Sequence, residues 1–148
     1  DPLGVIEAFR AARQGLPARL LLVGGSATDD PEGAGVYARV QEQAEGDEDI
    51  RVLSLPPDSH LEINAIQRAS TIVVQKSIRE GFGLTVSEAL WKGKAVVAGA
   101  VGGIPQQIIH KQTGILVHTI DGAAYWLRHL LMNPDLRRRI GYCSSRFG

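Results

Sequence analysis

Glu80 and Glu88, with seven residues between them, enclose Gly81-Phe82-Gly83-Leu84-Thr85-Val86-Ser87. Upstream, the β-branched run Thr71-Ile72-Val73-Val74-Gln75 predicts a short buried strand, and downstream Val86, Ala89 and Leu90 recur at helical spacing. The stretch is therefore a strand, a glycine-bearing loop and the first turns of a helix. In an open α/β sheet such a junction lies at the carboxyl edge of the strands, where ligands bind. Gly81 and Gly83 lack a Cβ, so the loop can turn sharply and a ligand can approach its amides. The unpaired N–H groups opening the helix carry partial positive charge, suited to a phosphate or a sugar oxygen. Glu80, at the strand exit, can accept hydrogen bonds from hydroxyls, and Glu88 lies about 6 Å further along the helix axis than the first turn. A carboxylate at each end of an amide cradle suits a nucleotide-sugar, with hydroxyls at both ends and a diphosphate between. The plainer reading of the same residues is that Glu80 complements the helix dipole and Glu88 pairs with Lys92 four residues on.

The segments around this stretch supply its scaffold. Asp1 and Pro2 are an N-cap and a first helical residue, and Val5, Ile6, Ala8, Phe9 and Ala12 form the apolar face of a helix ending before Gly15. Ala18 to Val23 predicts a buried strand running into Gly24-Gly25, a second glycine turn at the same edge of the sheet. Ser26 to Gly35 is a polar loop whose acids, Asp29, Asp30 and Glu32, lack the spacing of a calcium loop and read as solvated. Val36 to Glu45 predicts a helix and Ile50 to Leu55 a strand. Asp58 or Ser59 caps a helix through Ala69, with Glu62 placed for a capping box. After Lys92-Gly93 come a strand at Ala95 to Ala98 and a Gly102-Gly103-Ile104-Pro105 turn into a short helix, Gln106 to His110. A last strand at Gly114 to Val117 precedes a helix capped by Asp121 and running through Leu131, then a basic tail helix from Leu136 to Tyr142. Strands at 18–23, 50–55, 71–75, 95–98 and 114–117, alternating with helices, imply parallel pairing and right-handed crossovers. The expected fold is α/β, a three-layer, Rossmann-like, doubly wound parallel sheet.

Length and composition narrow the classes. The 148 residues amount to one domain, 44% apolar and 22% charged, and 16 basic residues offset 16 acidic ones. No basic field favours nucleic acid or a membrane surface, and no apolar run reaches transmembrane length. A single cysteine, Cys143, excludes an internal disulfide framework and fits a reducing cytoplasm. His60 reads as a surface residue, and His110, His118 and His129 show no metal-ligand spacing. Neither a Ser-His-Asp set, a Walker loop nor a three-glycine dinucleotide fingerprint is present. A chain opening on a helix with no strand before it reads as part of something longer.

Arg79-Glu80-Gly81-Phe82-Gly83-Leu84-Thr85-Val86-Ser87-Glu88-Ala89-Leu90, then Lys92-Gly93-Lys94-Ala95-Val96-Val97-Ala98 and Gly102-Gly103-Ile104-Pro105, resembles the retaining GT-B glycosyltransferases of family 4, whose signature is Glu, seven residues, Glu. Within that family, Ser77-Ile78-Arg79-Glu80-Gly81-Phe82 and Gly102 to Ile108 are most similar to glycosyltransferring trehalose synthases and to trehalose phosphorylases. The resemblance covers nearly the whole chain and is strongest from about Thr71 to Val117. It implies that residues 1–148 are the nucleotide-sugar binding domain, the C-terminal half of a GT-B enzyme, truncated at its N-terminal edge. The acceptor domain, one further strand and a basic pair for the donor diphosphate would lie outside the chain.

On this resemblance Glu80 holds a hydroxyl of the transferred glucose as the catalytic residue. Glu88 accepts from the ribose, and Gly81, Phe82, Gly83, Leu84 and Thr85 meet sugar or phosphate. Leu53 and Ser54 lie near the nucleotide base, with Gly24 and Gly25 at the same edge. The donor is UDP- or ADP-glucose, no metal or other cofactor is required, and the acceptor is a sugar, glucose in the trehalose synthases. The fragment alone is expected to be inert. A trehalose phosphorylase using glucose 1-phosphate, or a nucleotide-sugar-binding module without chemistry, are the alternatives.

Overall fold

The protein is described by a computed structural model over residues 1–25 and 31–147. In chain order the elements are α1 (Pro2–Ala12), β1 (Leu20–Gly25), α2 (Pro31–Ala44), β2 (Ile50–Leu55), α3 (His60–Ala69) and β3 (Ile72–Gln75). There follow α4 (Leu84–Trp91), β4 (Ala95–Gly99), a 3-10 turn (Ile104–Gln106), β5 (Ile115–Val117), α5 (Ile120–Met132) and α6 (Pro134–Phe147). All five expected strands are present, and every pairing is parallel. Parallel neighbours need a crossover, supplied by α2 between β1 and β2 and by α4 between β3 and β4.

The three-stranded sheet, ordered β3-β4-β5, is covered on both faces. Val97, Ile115 and Val117 pack with Ala8 and Ala12 of α1, Leu127 and Leu130 of α5, and Ile140 of α6. Val73, Val96 and Ala98 point the other way, onto Val86, Ala89 and Leu90 of α4 and onto Ile104 and Ile108. Burial on both sides explains why Ala95-Val96-Val97-Ala98 carries no polar residue: all five residues of β4 are buried. The arrangement is three layers, helix on sheet on helix.

The strands form two sheets, however, where one was expected. β1 pairs only with β2, and among the described residues nothing pairs β1 with β3. A groove of about 1130 Å³ opens between those two strands, with Val5 and Phe9 of α1 and Gln67 of α3 also in its walls. Strands pair only at about 4.8 Å, so a groove of that size leaves both facing edges without a partner. α1 spans the divide: its Ala8 and Ala12 belong to the core of the second sheet, and its Ile6 and Phe9 pack with Val40, Ala44 and Ile50 over the first. Three ion pairs pin the same region. Asp47 accepts from Arg13 at 2.5 and 3.0 Å and from Arg10 at 3.2 Å, and the Arg13 hydrogen bond holds its carboxyl below the usual range. Lys76, just past β3, meets the Asp1 carboxylate at 2.5 Å.

Several boundaries differ from expectation for local reasons. α2 begins at Pro31 rather than Val36, because a proline at the first position with Glu32 in the first turn is itself a helix start. Asp29 and Asp30 lie outside the described residues. Ser59 does stand at the N-cap of α3, but at φ −78°, ψ 46° its hydroxyl makes no capping bond, so the expected capping box is not formed. The cap of α5 is Thr119, whose hydroxyl accepts from Gly122 N–H at 2.9 Å, and Asp121 sits in the first turn instead. The helix expected at Gln106 to His110 is only the 3-10 turn at Ile104–Gln106, after which His110 forms a β-bridge with Gly114. α6 runs to Phe147, longer than expected, with Pro134 opening it.

Candidate functional site

β3 ends at Gln75, and the chain then crosses to α4 through residues 76–83. Gly83 is the N-cap of α4 at φ +81°, ψ 60°, a left-handed conformation that favours glycine, and a Cβ there would come within 2.9 Å of Ile104 Cγ1. Gly81 differs from the expectation for it: its φ is not positive and a Cβ would meet open space. The sharp turn is therefore made at Gly83 alone. Among the described residues, the N–H groups of Phe82, Gly83, Leu84 and Thr85 have no protein acceptor. They form an open, positively polarised end to a helix whose C-terminal end is already closed by the Lys92 N–H on Glu88 O.

A second loop holds this one in place. Gly103 N–H donates to Gly81 O at 2.6 Å, so the two backbones lie in direct contact. The contact is tight: a Cβ on Gly102 would stand 1.7 Å from Glu80 O, and one on Gly103 would stand 2.9 Å from Gly81 O. Gln107 adds a side-chain clamp, donating to Phe82 O while its Oε1 accepts from Ser87 Oγ at 2.5 Å.

In the chain one carboxylate, Glu80, precedes the open amides and the other, Glu88, follows them on α4. Glu80 is half-buried: its Oε1 accepts from Gly81 N–H at 3.1 Å, and its Oε2 receives Gln75 Nε2 and Ser77 Oγ, both at 3.3 Å. These are long bonds that orient the group without saturating it. Glu88 is exposed, and its Oε2 accepts from Gln67 Nε2 at 2.9 Å. The direct Glu88–Lys92 pair expected from their spacing is not formed. Gln67 lies between them, its Oε1 accepting from Lys92 Nζ.

The remaining residues expected at the site fall as follows. Gly24 and Gly25 are not a turn but the last two residues of β1, paired with Ser54 and Leu55, and a Cβ on either would meet open space. Leu53 and Ser54 are exposed near the carboxyl end of β2. Gly24, Gly25, Leu53 and Thr85 all line the groove between the sheets, which brings the first sheet and the start of α4 to one space. Gln67, Gln75, Ser77 and Gln107 were not anticipated. Gln67 follows Ile63 and Ile66 on the inward stripe of α3, and a glutamine on an apolar stripe is a signal for a buried polar role. Gln75 and Ser77, two residues apart at a strand exit, share a face. Among the described residues no group of three His, Cys, Asp or Glu is placed to hold a metal ion, and no helix is long and apolar enough to cross a membrane.

A helix N-terminus left open between two oriented carboxylates, on a parallel α/β scaffold, has the chemistry to suit a ligand that carries both hydroxyls and an anionic group. Residues 2–146 match the glycosyl transferases group 1, and the chain belongs to that family. It is 48% identical over 143 residues to a trehalose synthase of Rubrobacter xylanophilus, a match covering 95% of this chain and 34% of the relative. A trehalose phosphorylase of Pleurotus pulmonarius is 41% identical over 112 residues, covering 72% of this chain and 15% of that protein. Among solved structures, the sucrose-phosphate synthase of Thermosynechococcus elongatus superposes with a TM-score of 0.76 at 33% identity, over 95% of this chain and 36% of that one. Anabaena HepE in complex with UDP-glucose superposes at 0.80 with 19% identity, a likeness of fold, over 97% of this chain and 38% of that one. The chain spans about a third of the length of the trehalose synthases it matches.

Proposed function

We propose that the chain is the donor-binding domain of a retaining glycosyltransferase that moves glucose from UDP- or ADP-glucose to glucose, forming trehalose. The observation that carries this reading is the pair of oriented carboxylates that precede and follow the four open N–H groups in the chain. Glu88 accepts from the ribose hydroxyls, Glu80 holds a hydroxyl of the transferred glucose, and the amides of Phe82, Gly83, Leu84 and Thr85 take sugar or diphosphate oxygens. Leu53, Ser54, Gly24 and Gly25 stand on the nucleoside side, where contacts to the base are made by backbone. Charge developing on the leaving diphosphate is met by preorganised amide dipoles and cationic side chains, so no metal is called for. The 48% identity to a trehalose synthase supports the product, and the likeness to a protein solved with UDP-glucose supports the donor.

The acceptor half of the cleft belongs to a second domain, and a strand and a basic pair ahead of Asp1 complete the donor side. The groove between β1 and β3 supports this, since both of its edges offer unpaired backbone to one more parallel strand. Residues 1–148 by themselves bind donor weakly and transfer no glucose. The test is trehalose formation by the full-length protein from glucose with UDP-glucose or ADP-glucose, where Glu80→Gln lowers kcat by about 100-fold. Trehalose made only from glucose 1-phosphate, with no nucleotide requirement, would replace this reading by a phosphorylase. Donor binding with no transfer would reduce it to a binding module.

A further inference from the structure

Gln67 is the one residue of α3 that is buried, with 6% of its surface exposed, on a helix whose Leu61 is 81% exposed. A helix that turns a glutamine inward and leaves a leucine in water has a polar task on its inner face. The side-chain amide is used at both ends. Nε2 donates to Glu88 Oε2 at 2.9 Å, and Oε1 accepts from Lys92 Nζ. The orientation of the amide follows from its partners, because a carboxylate only accepts and an ammonium only donates. Only an amide side chain presents an acceptor and a donor two bonds apart in this way. Neither leucine nor glutamate can replace it.

The consequence falls on Glu88. Lys92 is four residues from Glu88 on the same helix, the spacing at which a glutamate and a lysine normally pair directly. Gln67 stands between them, so the ammonium is held on the amide oxygen and Glu88 is held by the amide nitrogen. Glu88 Oε1 then has no partner among the described residues and remains an open acceptor. We infer that Gln67 is a positioning residue for recognition of the donor's ribose: it aims Glu88 and keeps Lys92 from closing onto it. The inference rests on the proposed role of Glu88, and it adds that this carboxylate is kept available by a residue on another helix.

The test uses the full-length protein. Gln67→Leu removes the amide, and Lys92 becomes free to pair with Glu88. KM for the nucleotide-sugar should rise about tenfold, the cost of one charge-assisted hydrogen bond, with kcat and the acceptor KM little changed. The preference for a ribonucleotide-sugar over its 2′-deoxyribose analogue should fall by a similar factor. Gln67→Leu combined with Lys92→Met removes the competing cation and should recover most of the lost donor affinity, which a packing role for Gln67 would not produce. If Gln67→Leu does not fold, Gln67→Glu serves in its place, since it keeps the size and an acceptor for Lys92 but cannot donate to Glu88. A donor KM within twofold of wild type in the folded variant, or no recovery in the double variant, overturns the inference. Glu88→Gln is assayed alongside: if it leaves the donor KM unchanged, the proposed role of Glu88 fails, and if only the Gln67 variants are silent, the failure belongs to Gln67.

Discussion

Replacing Gly102 with alanine tests whether contact between the two loops sets the position of Glu80. Gly102 has φ +57°, where an L side chain is strained by roughly 1 kcal/mol or more. The larger penalty is steric. The new Cβ would stand 1.7 Å from Glu80 O, 2.7 Å from Glu80 C and 2.8 Å from Gly81 O, all backbone atoms that cannot rotate away. The loops must separate by roughly 1.3 Å before the closest of these contacts reaches 3.0 Å. Overpacking of this kind costs about 1–3 kcal/mol, so the total loss of stability is about 2–4 kcal/mol. Because the displaced atoms belong to Glu80 and Gly81, its carboxylate and the open amides move together, and a shift of about 1 Å costs on the order of 100-fold in kcat/KM.

Gly15→Ala is the control. Gly15 has φ +73° with nothing within 4 Å of its Cβ position, so it carries the strain without the clash and should lose only about 1 kcal/mol. Chemical denaturation and glucose transfer are measured on the full-length variants. A Gly102→Ala protein that matches Gly15→Ala in stability and keeps wild-type kcat/KM would refute the argument that the loop contact positions the site.

Two further outcomes follow from the geometry. Gln107→Leu breaks the clamp from Phe82 O to Ser87 Oγ, and should cost about 1 kcal/mol and roughly tenfold in kcat, read by denaturation and steady-state kinetics. His110 Nδ1 accepts from Leu116 N–H at 3.0 Å, and burial, with Lys111 and His118 nearby, holds its pKa below the ordinary value. Its folded pKa being the lower, the protonated form is favoured in the unfolded chain, so the contribution of His110 to stability is intact above about pH 6.5 and declines as pH falls toward the folded value. Denaturation midpoints across this range should show that slope in the wild type and lose it in His110→Asn.

Much of the fold could be read from residue patterns, because the forces that set it are local. A run of β-branched residues such as Thr71 to Gln75, or a fully apolar one such as Ala95 to Ala98, has one good use in a chain of this length, a buried strand. Positions of caps were less legible. Thr119 rather than Asp121 caps α5, since the choice between neighbouring oxygens depends on where the preceding strand delivers the chain. The division into two sheets was not legible either, because whether β1 and β3 meet depends on what lies between them.

The site divides the same way. Glu80, Glu88 and the glycines were visible because carboxylates and missing side chains mark themselves by type and spacing. That Gly83 makes the turn while Gly81 does not, and that Gly102 and Gly103 are glycine because another backbone lies against them, are facts of contact between distant segments. So are the partners of the two acids. Helical spacing alone joins Glu88 to Lys92, and tertiary structure inserts Gln67, because α3 brings its inner face to α4 and a buried amide satisfies both charges at once. Sequence determined which groups are available for chemistry, and packing between remote segments decided which way they point and which of their lone pairs remain open.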